Sequence, residues 1–167
     1  MPDIAAGAGS PVLPDLEERA AVGRLTREAL AADADLRDEL AVYTASEGVF
    51  LDRRGTVAPP GEDESLAFGA DLVVLLAPYV VATATAAVRY LVRLVADAAA
   101  DEAKPVVGRW LRHLVRPDAE KPAEPLPADV LRRVRDVTGD VCRELGLDDS
   151  DAALVSAAVT GRLAVGA

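Results

Sequence analysis

The 167-residue chain holds one cysteine, one histidine, two lysines and six aromatic residues, and each scarcity excludes something. The lone Cys142 rules out an intramolecular disulfide and any multi-thiolate metal site, and it suits a reducing compartment. The lone His113 has no nucleophile or carboxylate close to it in sequence, so no acid–base pair announces itself. With so few rings the core must be built from small and aliphatic side chains. That composition favours close helix packing over a β-sandwich.

Positive charge is scarce as well: 18 Lys and Arg stand against 28 Asp and Glu, for a net charge of −10. A surface that neutralises phosphates must be basic, so the balance argues against nucleic-acid binding. The glycine-rich phosphate loop, the dinucleotide-binding glycine pattern, the serine nucleophile elbow and the paired-histidine zinc motif are all absent. No repeat of 20 to 50 residues and no sustained heptad pattern is present, which excludes a solenoid and a long coiled coil. Residues 1–14 carry neither a basic start nor an apolar run of export-signal length, and read as a loose tail on a cytoplasmic protein.

What the chain does have is 51% hydrophobic residues, enough for one packed core. From 15 to 47 the spacing predicts two short helices. Leu16, Val22, Leu25, Ala29 and Leu30 line the first, and Leu36, Leu40 and Tyr43 line the second, with Asp33 or Asp35 placed to cap it. The Val49 to Val57 stretch reads as two extended runs around Gly55, giving either a small β-hairpin or an irregular loop. An acidic Pro/Gly linker follows at 58–64.

The most unusual segment is Leu72 to Val88, seventeen residues without a charge, interrupted by Pro78. As a helix it spans about 25 Å, at the lower limit for a membrane crossing. Amphipathic helices on both sides need an apolar surface to pack on, so a buried central helix is the primary expectation. A membrane anchor or pore-forming segment is the alternative, and a buried strand over 72–76 is a third reading.

Pro105 opens a further helix on which Val107, Trp110, Leu111 and Leu114 form an apolar stripe opposite Arg109, Arg112 and Arg116. From Lys104 to Arg116 there are four basic residues and no acid. A basic amphipathic helix in an acidic protein is the natural contact surface, so Arg109, Trp110, Arg112 and Arg116 are the candidate interface residues.

A proline-rich linker at 117–127 separates a C-terminal unit, residues 128–167, expected to be a helical hairpin packed on the core. Val130, Val134, Val137, Val141 and Leu145 line its first helix, and Gly146 is placed to stop that helix in a left-handed cap. Asp148, Asp149 or Ser150 caps the second helix, which carries Val155, Val159 and Leu163. The acidic groups at 62–64 and 148–151 lack calcium-loop spacing, and read as solvated linker and helix cap.

The sequence therefore predicts an all-α protein, an irregular bundle of five to seven helices around a hydrophobic central helix. It predicts a non-enzymatic interaction or scaffolding role, with a protein partner or self-association and no cofactor or metal.

Overall fold

The computed structural model describes residues 13–53, 75–97, 102–117 and 124–166. These form six α-helices, with no strand among the described residues: α1 (Asp15–Ala32), α2 (Glu39–Asp52), α3 (Ala77–Ala96), α4 (Lys104–Val115), α5 (Ala128–Glu144) and α6 (Asp149–Val165). The tail up to residue 12, the acidic linker at 58–64 and residues 72–74 of the uncharged run lie outside them.

Helix α1 begins with Asp15, Glu17 and Glu18, whose charges oppose the positive end of the helix dipole. Its buried stripe includes Val22, Leu25, Ala29 and Leu30 as the spacing requires, but Leu16 is exposed. After Ala32 the chain turns rather than starting a helix at once. The Asp33 carboxylate accepts the Asp35 amide at 2.9 Å within that turn, so it does not cap α2, which starts later, at Glu39. Leu36 is fully buried from the turn itself.

Helix α2 overturns the hairpin reading at residues 49–52, which are helical; residues 54–57 lie outside the described segments. The β-prone Val49-Phe50-Leu51 run is claimed by packing within α2 and against α1. Phe50 stacks on Tyr43, one heptad earlier, with ring centroids 5.8 Å apart, and Leu51 is buried. Gly23 of α1 makes room for this approach, since a Cβ there would meet Leu51 Cδ1 at 3.2 Å and Glu47 Oε1 at 3.1 Å. Such local overriding of strand propensity by packing is expected where side chains find a partner surface.

Helix α3 is the centre of the bundle and touches each of the other five helices. Eleven of its twenty residues are buried, among them Val80, Val81, Ala84, Ala87, Val88 and Leu91. Pro78 begins the helix rather than interrupting it. It sits in the first turn, where its missing amide donor is no loss. The other first-turn amides are satisfied. Leu76 N–H donates to Glu39 Oε1 at 2.7 Å, Ala77 N–H donates to Glu39 Oε2, and Tyr79 N–H reaches Leu76 O at 3.0 Å. Thr83 and Thr85 are buried without polar penalty, because each hydroxyl donates to a carbonyl one turn back in its own helix.

Helices α5 and α6 form an antiparallel hairpin that packs on α3, with α6 also against α1. Gly146 takes φ 79°, its amide donating to Arg143 O at 3.0 Å and the Leu147 amide to Cys142 O at 3.1 Å. These paired bonds are the left-handed helix cap that the sequence foretells. Asp148 caps α6 by accepting the Asp151 amide at 2.8 Å. The buried line of α5 is Val130, Val134, Thr138 and Cys142, whereas Val137 and Val141 are only half-buried. Steps of four rotate each residue by about 40° around the helix, so the contact line drifts away from the valine stripe. Thr138 is tolerated inside because its hydroxyl and that of Ser156 share a hydrogen bond of 2.6 Å.

Candidate functional site

On α4 the apolar and basic faces separate as the spacing demands. Val107, Trp110, Leu111 and Leu114 are buried, while Arg112 and Arg116 are exposed and Arg109 is half-buried. Arg109 and Arg112, three residues apart, share one face, and Arg116 follows as the C-cap residue just past the helix end. Arg109 leans toward Glu124 at 3.8 Å, an ion pair long enough to compete with solvent. The helix needs no acid of its own, and its last turn, with Arg112 and His113, places basic groups at the negative end of its dipole.

Trp110 stands apart from the other three candidate interface residues, because its relative exposure is 0%. An indole with no accessible surface is not itself a contact residue. Instead it fixes the helix that carries the arginines. Its Nε1–H donates to Glu124 O at 2.6 Å, and the Arg162 guanidinium lies over the ring, 5.6 Å from its centroid. The C-terminal end of the proline-rich linker and the last turn of α6 therefore both hold α4 by the same side chain, with the Leu126 amide reaching Leu163 O at 3.4 Å beside it.

Around Trp110 the fold assembles a polar cluster. Glu28 of α1 accepts Arg24 Nε at 2.9 Å through Oε1 and Arg162 Nε at 2.7 Å through Oε2. Arg162 also donates to Gly166 O at 2.6 Å. His113 meets Trp110 edge to face with ring centroids 6.1 Å apart, and its Nδ1 is buried without a hydrogen-bond partner. Burial first, then the charge of Arg24 with a further contribution from Arg162, holds the imidazole below its ordinary pKa of 6.5, against an opposing pull from Glu28. A neutral, sheltered imidazole is thus the resting form.

The remaining reactive groups have structural surroundings. Cys142 is fully buried, and burial pushes its thiol up to about 11, with Arg143 offsetting part of the rise. Tyr43 is buried against Glu47, its hydroxyl 3.3 Å from Oε1, and burial followed by that negative charge raises its pKa. Among the described residues no group of three or more His, Cys, Asp or Glu side chains is arranged to hold a metal ion. Between α5 and α6 a cavity of about 360 Å³ is lined by Arg135, Asp136, Arg143 and Asp149 over a floor that includes Gly139 and Ala153. Its alternating charges present no single sign to a ligand.

No family model, no curated protein and no solved structure matches this chain.

Proposed function

We propose that this chain is a non-enzymatic, cytoplasmic helical interaction protein, and that the outward face of α4 docks an acidic segment of a protein partner. The observation that carries the reading is the placement of Arg109 and Arg112 on the outward side of an acid-free helix, with the exposed Arg116 at its C-cap, anchored from behind by a buried indole. Guanidinium groups form paired, planar hydrogen bonds to carboxylates, which suits them to an acidic peptide. The net charge of −10 does not cancel this attraction. At physiological salt the screening length is about 8 Å, so a ligand on α4 feels the arginines before the acids on distant faces. A second copy of this acidic chain is a partner of the same chemistry.

The test is fluorescence anisotropy of a labelled Glu/Asp-rich peptide titrated with the full chain. The reading expects saturable binding that weakens as salt is added. It also expects the triple variant Arg109→Gln, Arg112→Gln, Arg116→Gln to bind about three- to a hundredfold more weakly, at about 0.2–1 kcal/mol per exposed pair. Binding that is absent at low salt, or unchanged in the triple variant, overturns it. Light scattering on the same samples reports whether the chain itself supplies the partner.

The alternative reading makes α3 a membrane segment and the arginines its lipid-facing flank. One observation favours it: α3 is long and apolar enough by composition to cross a bilayer. Its burial at the centre of the bundle favours the first reading. Fractionation separates them, since an anchored chain stays with membranes until detergent is added.

A further inference from the structure

Helices α1, α4 and α6 meet at a seam that holds one carboxylate, two guanidiniums and the chain's single imidazole and single indole. Glu28 already has an arginine on each oxygen, from Arg24 and from Arg162. Arg162 in turn covers Trp110 and binds the Gly166 carbonyl, so it ties the end of α6 to α4 and α1 together. His113 fills the remaining side of this seam with a buried, unpartnered Nδ1.

The two protonation states of His113 differ sharply in this setting. With Nδ1 unprotonated, the neutral ring leaves one buried acceptor unpaired, a smaller loss than an unpaired charged donor. The imidazolium carries a charged N–H at that nitrogen with no acceptor, next to two other cations. Glu28, the carboxylate whose charge reaches the ring, already holds Arg24 and Arg162, and turning it toward Nδ1 draws it away from both.

We propose that His113 is a proton-operated latch on this seam: neutral, it leaves Glu28 bridging Arg24 and Arg162, and protonated, it breaks the bridge and frees the last turn of α6 from Trp110. The charges acting on the ring are Arg24 and Glu28 from α1 and Arg162 from α6. On its own helix Arg109 leans toward Glu124, and Arg112 and Arg116 are exposed. From α3, also packed on α4, Arg89 is held by Glu18. The latch stands independently of what the arginine face of α4 binds.

The sign of the pH response follows from linkage. Because the closed seam holds the imidazole below its ordinary 6.5, the released ring binds a proton more tightly than the closed one. The closed state keeps its full advantage above pH 6.5. That advantage is lost as pH falls toward the pKa of the closed form, and the opening constant grows by up to about tenfold per pH unit for one proton.

The single histidine and single tryptophan make the test direct. In the full chain, the His113 ring is titrated by NMR from pH 8 to 5, above the ordinary carboxylate range. Over the same range, hydrogen exchange is followed at the amides of Leu163, Ala164 and Val165 and at Trp110 Nε1. The expected result is a ring titrating below 6.5, with protection at these four positions falling in step after correction for intrinsic exchange. In His113→Gln the protection is flat with pH. Arg24→Gln provides a second handle, moving the ring titration and the protection loss upward together. A ring that titrates at or above 6.5 overturns the proposal. So does a ring that titrates while protection holds, or a His113→Gln chain with the same acid response.

Discussion

Glu39 and Leu76 are joined by a carboxylate-to-amide hydrogen bond of 2.7 Å, and with the adjoining contact to Ala77 it fixes where the apolar helix α3 begins. The anion at this point satisfies two first-turn donors and faces the positive end of the α3 dipole. Glu39→Ala is expected to destabilise the protein by about 2 kcal/mol and Glu39→Gln by about 1 kcal/mol. Urea denaturation followed by helical circular dichroism measures both. A loss below about 0.5 kcal/mol for the alanine variant means that other groups cap the helix.

The split between the buried and outward faces of α4 predicts a sharp contrast between neighbouring positions. Trp110→Ala should cost about 3–5 kcal/mol through the cavity it leaves. Trp110→Phe, which keeps most of the volume but loses the bond to Glu124 O, should cost about 1–2 kcal/mol. Arg112→Gln should stay within about 0.5 kcal/mol, as an exposed substitution does. Equal effects at 110 and 112 in thermal or chemical unfolding would remove the distinction between anchor and contact surface.

Much of this architecture is readable from spacing alone, and the reason is local. The α4 stripe, the Gly146 cap and the α6 stripe of Val155, Val159 and Leu163 depend on contacts within one or two turns of their own helix. The misreadings come from partners far away in sequence. Val49 to Asp52 look extended until Leu51 finds Gly23 on α1. The drift of the α5 contact line to Thr138 and Cys142 is set by how α5 crosses its neighbours, which periodicity does not encode. Trp110 is half legible: its stripe marks it as apolar, but only the fold shows Glu124 and Arg162 closing over it. The seam around His113 has no sequence signal, because Glu28 and Arg162 are 134 positions apart.

Cys142 should behave as an inert side chain. With its thiol raised to about 11, roughly one molecule in a thousand is thiolate at pH 8 even before burial blocks access. Reaction with an aromatic disulfide reagent is therefore expected to proceed no faster than unfolding and to accelerate with urea. A prompt stoichiometric reaction in native buffer would place the thiol at the surface and contradict the packing of α5 on α3 and α6.

The position of α3 at the centre of the bundle is tested most directly by hydrogen–deuterium exchange on the chain in detergent-free buffer. The amides from Val80 to Leu91 should be the slowest in the molecule, exchanging only through global unfolding, because α3 is covered by all five other helices. Rapid exchange over those residues in buffer, slowed only when lipid or detergent is supplied, would contradict that placement and make α3 a membrane segment.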